Sequence, residues 1–330
     1  MDKTEKILVT GAGGFTGSAL ALRLVKMGYR VRGTIRQGAD SILLRNAGIE
    51  VVSADIGNAS DVNNAVKDCS YIFHIAALFR KAGVPDSEYR RVNLEGTRLL
   101  MEAARENGIK KIIHCSTIGV CGHISNPPAD ENTPYNPGDI YQETKMAGEK
   151  LALEYFKDGK VKGVVVRPAS IYGPGDLRLL KLFRMINRGR FIVVGSGKPT
   201  FHVVYIDDLV DGFIMAMEKN VPSGELFIIA GEEYVSLNEF FALIAKSLGV
   251  NPPRFRIPAW PVQLLGTIME KICVPIGVEP PIYRRRVDFF TKSRAFNISK
   301  AKRMLGYSPE VDLKEGIRRT AEWYRKEGLL

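Results

Sequence analysis

A glycine-rich turn between an apolar strand and a helix restricts the fold of this chain more than any other feature. The apolar stretch KILVT is followed by the run Gly11-Ala-Gly-Gly14-Phe15-Thr16-Gly17 and then by an amphipathic segment. Glycines are needed in such a turn because it is tight, because a phosphate must reach bare backbone, and because the helix packs closely on the strand. The amides and the dipole of the helix N-terminus attract a diphosphate. The turn therefore predicts a dinucleotide site near the start of the chain.

The pattern of apolar stretches predicts the architecture around this turn. Six of them alternate with helical periodicity up to about residue 170: KILVT, YRVRGTI, IEVVSADI, YIFHIAA, KKIIHCS and GVVVRPAS. Strands that are apolar nearly throughout and are separated by helices are typical of a doubly wound parallel α/β sheet, the Rossmann arrangement. We expect this domain to comprise residues 1–170 and 202–230. A smaller, mostly helical substrate-binding cap is expected to comprise residues 171–201 and 231–330.

Three further predictions concern the chain beyond these six strands. HVVYI is expected to form one more strand, and Asp207 to be the N-cap of a helix that runs to about Lys219. The apolar stretch WPVQLLGTIM, which opens with Trp260, is expected to be a buried helix of the cap. The alternatives for this stretch are a hydrophobic substrate wall or a contact with a membrane surface.

Composition excludes several classes of protein. The 330 residues are 45% hydrophobic, which allows a sizeable core and rules out a disordered chain. No apolar run reaches the roughly 18 to 20 residues that span a bilayer, and no signal-peptide core is found, so a cytoplasmic protein without an integral membrane segment is expected. The 47 basic and 36 acidic residues are spread along the chain without a nucleic-acid-binding pattern. The four cysteines lack metal-site spacing, so no metal is predicted.

The residues that follow the second and third strands indicate which dinucleotide binds. No carboxylate stands close to the end of YRVRGTI, where one would bind the ribose 2′-hydroxyl of NAD, and Arg36 stands there instead. A guanidinium binds phosphate in bidentate fashion and stacks on adenine, so Arg36 favours NADP over NAD unless it is an ordinary solvated charge. Asp55 and Ile56 are placed to contact the adenine, although Asp55 could instead cap a turn. Ala76 and Ala77 supply the small side chains that a backbone close under the cofactor requires.

A tyrosine and a lysine one helical turn apart indicate the chemistry. The segment from Asp139 resembles an N-cap with its capping-box partner, so a helix is expected to begin here with Tyr141 and Lys145 on one face. A phenol with a pKa of about 10 carries protons poorly at neutral pH, but a nearby ammonium favours the phenolate. Ser116 and Thr117 follow the fifth strand at the carboxyl edge of the sheet. A hydroxyl there can donate to a developing alkoxide or to a carbonyl oxygen.

With these motifs the chain resembles the extended short-chain dehydrogenase/reductases, also called NAD-dependent epimerase/dehydratases, over essentially its whole length. The resemblance implies that Tyr141 is the acid/base group and that Lys145 lowers its pKa and binds the nicotinamide ribose. Thr117, with Ser116 as the less favoured substitute, would bind the reacting oxygen. The matching segments are TGAGGFTG (10–17), SADI (53–56), FHIAA (73–77), VNLEGTRLL (92–100), HCST (114–117), YQETK (141–145), RPASIYGPGD (167–176), VVYIDDLV (203–210) and SKAKRMLGYSP (299–309).

The same resemblance implies roles for residues around the cofactor and for the subunit state. Asn93 would support the active-site helix or a proton-relay water. Pro168 and Ser170 would lie against the nicotinamide carboxamide. Relatives are usually homodimers that associate through the helices at about 93–107 and 141–157.

Within this superfamily the chain is most similar to the 3β-hydroxysteroid dehydrogenase, dihydroflavonol-4-reductase and hopanoid-associated branch. Three motifs usual in sugar-nucleotide enzymes are replaced here, by Ser170-Ile171, by residues 200–202 and by residues 287–290. The first hypothesis is hydride transfer between nicotinamide C4 and a secondary alcohol or ketone of a largely apolar, sterol-, terpenoid- or flavonoid-like substrate. The alternative is a sugar-nucleotide 4-epimerase or dehydratase, because residues 284–286 and Lys292 could neutralise a diphosphate. A non-catalytic NAD(P)-sensing protein is the third.

Overall fold

A parallel sheet of seven strands forms the centre of the described part of the protein. The computed structural model describes residues 2–81, 83–273 and 284–330, without the side chains of residues 284–286. The strands of the described residues, which include six outside this central sheet, are β1 (Lys6–Thr10), β2 (Arg30–Ile35), β3 (Glu50–Ser53), β4 (Tyr71–His74), β5 (Lys111–Cys115), β6 (Gly163–Pro168), β7 (Ser170–Tyr172), β8 (Val193–Val194), β9 (Thr200–Phe201), β10 (Val203–Tyr205), β11 (Leu226–Ile229), β12 (Val235–Ser236) and β13 (Arg256–Ile257).

Helices connect these strands and form most of the C-terminal third. A π-helical turn, Arg91–Glu95, precedes the fifth helix, and a short 3₁₀ helix, Ile118–Cys121, follows β5. The α-helices are α1 (Phe15–Lys26), α2 (Ile42–Asn46), α3 (Ala59–Val66), α4 (Asp86–Arg90), α5 (Gly96–Glu106), α6 (Ile140–Lys157), α7 (Leu180–Asn187), α8 (Ile206–Glu218), α9 (Leu237–Leu248), α10 (Ala259–Cys273), α11 (Arg284–Thr291), α12 (Ser299–Leu305) and α13 (Leu313–Lys326).

The order of the central strands creates a crevice beside the glycine turn. The sheet has the order β3-β2-β1-β4-β5-β6-β11, and every neighbouring pair is parallel. The direction of winding reverses between β1 and β4, and doubly wound sheets bind ligands outside the carboxyl ends of their strands at such a point. The predicted α/β fold is confirmed, and all six predicted strands belong to this sheet.

Alternate residues of the central strands contribute to two apolar layers, one on each face of the sheet. Ile7 and Val9 of β1 pack into the layer that includes Leu20 of α1 and Phe213 of α8. Leu8 points the other way, into the layer formed with α3, α5 and α6. Both faces are therefore covered by helices, as near-continuous apolar strands require.

Of two sequence predictions in the middle of the chain, one is confirmed and one is wrong. HVVYI forms the predicted further strand, β10, which pairs with β7 outside the central sheet, and the seventh central strand is the unpredicted β11. Asp207 is not an N-cap: α8 has Tyr205 as its N-cap, and Asp207 lies in its first turn. The carboxylate of Asp207 pairs with Arg23 at 3.4 Å, and an acid in the first turn is favoured by the helix dipole.

The prediction of a buried cap helix that opens with Trp260 is wrong. Trp260 is 69% exposed, and Leu264 and Ile272 are exposed as well. Gly266 is the buried residue of α10, and the contacts of this helix with other described elements are chiefly with α11. None of the described helices combines the length and the apolar character that crossing a bilayer requires.

The domain boundaries expected from the sequence, with one domain at 1–170 and 202–230 and the cap at 171–201 and 231–330, stay a prediction.

Candidate active site

A cleft of about 1190 Å³ follows the carboxyl ends of the central strands. The turns after β1 to β6 line it, and the C-terminal third contributes Asp288, Phe289, Lys292 and Arg294. Every predicted site residue except Asn93 lines this one cleft. These residues are Gly11, Gly14, Phe15, Thr16, Gly17, Arg36, Asp55, Ile56, Ala76, Ala77, Ser116, Thr117, Tyr141, Lys145, Pro168 and Ser170.

The glycine turn leaves room for a phosphate. Gly11 has a left-handed φ of +70°, and a Cβ there would lie 2.8 Å from Cα of Ala76. A Cβ at Gly17 would collide with the carbonyl oxygen of Gly11, so only a glycine lets α1 approach β1 this closely. A Cβ at Gly14 would meet only that same oxygen, at 3.4 Å, because the turn faces the cleft. The turn and the N-terminus of α1 therefore fit a dinucleotide diphosphate.

Two arginines line the cleft where β2 and β3 end. Arg36 is exposed, and within the described residues its guanidinium makes no hydrogen bond or close ion pair. Asp55 accepts a hydrogen bond from the Gly57 amide at 2.9 Å and pairs with Arg91 at 2.8 Å. Burial raises the pKa of Asp55, but these two bonds hold it below its ordinary value overall. Asp55 thus stabilises its own turn while lining the cleft. Arg91 was not predicted, because no motif marks it.

The helix that carries the tyrosine and the lysine, α6, begins where predicted. Asp139 is its N-cap, and the carboxylate accepts a hydrogen bond from the Gln142 amide at 2.8 Å. The Gln142 side chain accepts from the amide of Gly138 at 2.7 Å and not from that of Asp139, so the expected capping box is not reciprocal. These bonds fix the first turn of α6, which presents Tyr141 to the cleft.

Lys145 is buried at the carboxyl end of β5. It is 3% exposed, and its ammonium donates to the carbonyl oxygen of Cys115 at 2.7 Å. Burial lowers the pKa of Lys145.

Two buried histidines lie near Lys145, with the His74 and His114 ring centres 5.3 Å apart. Burial, and then the charge of Lys145, lower the pKa of His74 to about 3, and a hydrogen bond joins its ring to Thr10 at 2.9 Å. His74 is therefore a neutral packed residue.

The Tyr141 ring contacts an aromatic ring and a guanidinium. The Phe79 ring meets it edge-on, with centres 5.0 Å apart, and the Arg80 guanidinium lies 5.3 Å from its centre. Asp139 holds Arg80 through a 2.7 Å ion pair. Burial raises the pKa of Tyr141 well above its ordinary value, whereas the charges of Arg80 and Arg178 lower it. The effect that Lys145 is expected to have on the phenol stays a prediction.

Two adjacent hydroxyls stand next to the lysine. Thr117 is the N-cap of the 3₁₀ helix after β5, and its oxygen accepts a hydrogen bond from the Gly119 amide at 3.1 Å. Its own O–H proton is left for a ligand. Ser116 is 3% exposed, and its hydroxyl has no partner among the described residues. Because buried hydroxyls are nearly always hydrogen-bonded, the Ser116 oxygen also fits a bound ligand.

Asn93 lies behind the cleft. It is 2% exposed, accepts a hydrogen bond from the Leu78 amide at 2.8 Å and donates to the Thr144 hydroxyl at 3.0 Å. These bonds join the segment after β4 to α6, and Leu78, unlike Asn93, lines the cleft.

Several cleft residues come from segments in which no motif was found. Asp176 accepts from Nε of Arg178 at 2.6 Å, and the Arg178 guanidinium lies 5.4 Å from the centre of the Phe15 ring. This pair therefore lies against the glycine turn. Asp176 ends a quoted segment, but its sequence does not indicate a role. Other cleft residues to which no role was predicted include Phe79, Arg80, Arg91, Phe289 and Arg294.

Comparison with known proteins gives one consistent family. The profile of the NAD dependent epimerase/dehydratase family matches residues 7–230. A 3beta-hydroxysteroid-dehydrogenase/decarboxylase from Arabidopsis thaliana is 31% identical, over 97% of this chain and 80% of that protein. A 3 beta-hydroxysteroid dehydrogenase/Delta 5-->4-isomerase from Mycobacterium tuberculosis is 30% identical, over 97% of this chain and 90% of that protein.

Among solved structures, the UDP-glucuronic acid 4-epimerase from Bacillus cereus, in complex with NAD, superposes with a TM-score of 0.79. It is 27% identical, and the superposition covers 98% of this chain and 99% of that one. The likeness includes the C-terminal third as well as the sheet. The names of the two sequence relatives refer to steroids, whereas the name of the structural relative refers to a sugar nucleotide.

Proposed function

The chain belongs to the NAD dependent epimerase/dehydratase family and is a nicotinamide-dependent oxidoreductase, and on that premise we propose that it interconverts a secondary alcohol and a ketone. The single observation that carries the proposal is the convergence of Tyr141, Lys145 and the hydroxyls of Ser116 and Thr117 in the cleft that begins at the glycine turn. When bound, the nicotinamide supplies the two-electron redox chemistry. The residues of the chain supply binding, orientation and a proton.

In the proposed mechanism Tyr141 exchanges one proton with the substrate oxygen. The Thr117 hydroxyl, with Ser116 as the second donor, holds that oxygen and stabilises negative charge on it. Lys145 is fixed by the carbonyl oxygen of Cys115 at 2.7 Å, and although burial lowers its pKa, in this mechanism it acts in its protonated form. A cation close to the phenol makes the phenolate less unfavourable, which oxidation of an alcohol requires.

We further propose that the substrate is largely apolar, of sterol, terpenoid or flavonoid type. The apolar side chains of Phe79, Val84, Leu179, Phe201 and Phe289 line the cleft. The names of the Arabidopsis and Mycobacterium relatives, both steroid dehydrogenases, support the same class. The test is to mix the purified protein with NADPH or NADH and a panel of apolar ketones, and to follow oxidation of the cofactor.

NADP is the proposed cofactor, because Arg36, which has no ion-pair partner in the part of the chain that the structure describes, lies where β2 ends and could bind a 2′-phosphate. We predict that Arg36→Ala weakens NADP binding roughly 10- to 100-fold, the effect of losing a charge-assisted bond, and leaves NAD binding unchanged. Fluorescence titration with both cofactors measures this. Arg45→Ala, which removes another exposed arginine close by on α2, is the matched control. Equal affinities for NADP and NAD in the unmodified protein would overturn the assignment.

A sugar-nucleotide 4-epimerase or dehydratase is the second candidate, favoured by the superposition with the Bacillus cereus enzyme. One position speaks against it. His202, in the second of the replaced motifs, is 1% exposed, and its ring is bonded to the Gly231 carbonyl oxygen at 2.9 Å and to the Phe296 amide at 3.2 Å. It is therefore not available to a diphosphate. Residues 284–286, expected to neutralise one, lie outside the described side chains.

Net cofactor turnover separates the candidates. An alcohol dehydrogenase releases its cofactor and changes its oxidation state in proportion to product. An epimerase keeps bound NAD through gel filtration and shows no net change with UDP-glucose while the sugar is converted. Binding of cofactor without turnover of any substrate would indicate the third candidate, an NAD(P)-sensing protein.

We also propose that the protein is a cytoplasmic homodimer formed through α5 and α6. Leu99 and Leu153, on these two helices, are only half-buried within a single chain. Light scattering after gel filtration should give twice the 36.6 kDa of one chain. Leu153→Glu should then produce the monomer, and a monomeric unmodified protein would refute the proposal.

A further inference from the structure

Arg294, which has no side-chain partner among the residues that the structure describes, lines the part of the cleft that the C-terminal third contributes. The Arg294 amide donates to the Thr200 carbonyl oxygen at 2.8 Å, which fixes its backbone beside β9. No oxygen among the described residues accepts a hydrogen bond from its guanidinium. Burial, and then the charge of Arg80, lower the pKa of Arg294. Arg294 is half-buried and lines the cleft, so an anion that enters the cleft can form a charge-assisted bond with a guanidinium that has no acceptor among the described residues.

The neighbouring charges do not supply that anion. Asp139 and Asp288 act on Arg294 from a distance, but each is already paired with another cation. The cleft residues here that form ion pairs are Arg80 with Asp139 at 2.7 Å, Arg178 with Asp176 at 2.6 Å, and Lys292 with Asp288 at 2.8 Å. Each of these pairs joins one cation to one anion, so none of their carboxylates is free to pair with Arg294.

The surroundings of Arg294 are apolar on one side and adjoin the catalytic tyrosine on the other. Arg294 forms a backbone bridge with Phe201, whose ring lies 5.2 Å from that of Phe289, centre to centre. Arg80, whose charge acts on Arg294, lies 5.3 Å from the centre of the Tyr141 ring. An ion pair formed in such surroundings is less screened by water than one at the surface.

We propose that Arg294 binds an anionic group, a carboxylate or a phosphate, on the substrate, while the phenylalanines hold its apolar body. This rests on the proposed function, since it assigns the substrate of that same cleft to the amphipathic class. In the proposed binding mode the cofactor phosphates lie at the glycine turn and at Arg36, so they do not satisfy Arg294.

The test compares charged and neutral partners of otherwise equal shape. Oxododecanoic acids that differ in the position of the ketone are each paired with their methyl esters, and UDP-glucose represents a diphosphate. Binding to the cofactor-loaded protein is measured by calorimetry, and turnover by cofactor absorbance. The variants are Arg294→Gln, Arg294→Lys, and Arg303→Gln as the control that removes an exposed charge on α12.

We expect the unmodified protein to bind at least one acid more tightly than its ester, or to bind UDP-glucose. Arg294→Gln should weaken that anion roughly 10- to 100-fold, with cofactor and ester binding unchanged, because one charge-assisted bond is lost. Arg294→Lys should retain part of the preference, and Arg303→Gln all of it. Preference for an acid identifies a carboxylate, and binding of UDP-glucose alone identifies a diphosphate.

Two results would overturn the inference: anion binding that Arg294→Gln leaves unchanged, or loss of cofactor affinity in its place. If Arg294→Gln does not fold, equal binding of acids and esters together with no binding of UDP-glucose by the unmodified protein overturns it as well. Anion binding that depends on Arg294 without any cofactor turnover would leave the anion site standing and reject the dehydrogenase. Equal turnover of esters and acids would support the dehydrogenase and reject the anion site.

Discussion

The pKa of Tyr141 depends on residues that reach it from separate segments of the chain. Arg80, which follows β4, lies over its ring at 5.3 Å, and Asp139, at the start of α6, holds Arg80 in place at 2.7 Å. The charge of Arg178 acts from the loop after β7. The charges of Arg80 and Arg178 therefore lower the pKa of the phenol from segments outside its own helix, whereas the effect expected of Lys145 stays a prediction.

Removing the Arg80 charge should raise the pKa of Tyr141, because that charge favours the phenolate. Oxidation of an alcohol needs the phenolate as base, so its rate rises with pH as the phenol ionises. We therefore predict that Arg80→Gln moves this limb of the pH profile of kcat to higher pH. Arg80→Lys, which keeps the charge, should restore the profile. An unchanged profile in Arg80→Gln would show that the guanidinium does not act on the phenol.

At the scale of the element, the first turn of α6 combines a structural and an electrostatic role in one side chain. Asp139 satisfies the Gln142 amide as N-cap and neutralises Arg80. An asparagine keeps the cap but not the charge, whereas an alanine keeps neither. The two roles can therefore be separated by two substitutions.

We predict that Asp139→Ala lowers the free energy of unfolding by about 1 kcal/mol, the usual effect of losing an N-cap, and that Asp139→Asn lowers it much less. Both variants should move the pH limb of oxidation to lower pH, because the Asp139 charge raises the pKa of Tyr141. Urea unfolding and pH profiles measure the two effects. Ser236→Ala, at the N-cap of α9, is the control: it should lose similar stability and leave the pH profile in place.

A buried ion pair joins α6 to the sheet. The carboxylate of Glu149 on α6 accepts from Arg167 on β6 at 2.6 Å, and the two side chains are 0% and 2% exposed. Tyr135 donates to the same carboxylate at 2.7 Å. Removal of one partner would leave a buried charge without compensation.

Glu149→Gln is predicted to lower the free energy of unfolding by about 3 to 5 kcal/mol, because it breaks this buried pair while keeping the shape of the side chain. Denaturant titration gives the value. Glu322→Gln, which breaks an exposed pair with Arg318 on α13, should change stability little. A loss in Glu149→Gln no larger than in this control would contradict the role assigned to the pair.

Across the whole molecule, contiguous motifs could be predicted from the sequence, whereas contacts between segments that are distant in the chain could not. The glycine turn and the pair Tyr141 and Lys145 are contiguous motifs with their own geometric requirements, so their place in one cleft could be predicted. Arg294 enters that cleft only because its backbone bridges to β9, which no local pattern encodes. The strand β11 is four residues long, and short apolar runs are ambiguous between strand and helix. The exposed helix α10 was mistaken for a buried one because apolar composition alone does not tell what covers a face.

We propose that the Tyr141 phenol moves the proton between substrate and solvent in a cleft that binds a nicotinamide dinucleotide. The turnover rate of Tyr141→Phe, measured together with the affinity for the cofactor in the same preparation, tests this proposal. We predict a fall in kcat of roughly 100- to 10,000-fold, the usual contribution of a general acid or base, with cofactor affinity nearly unchanged. Turnover close to that of the unmodified protein would contradict it.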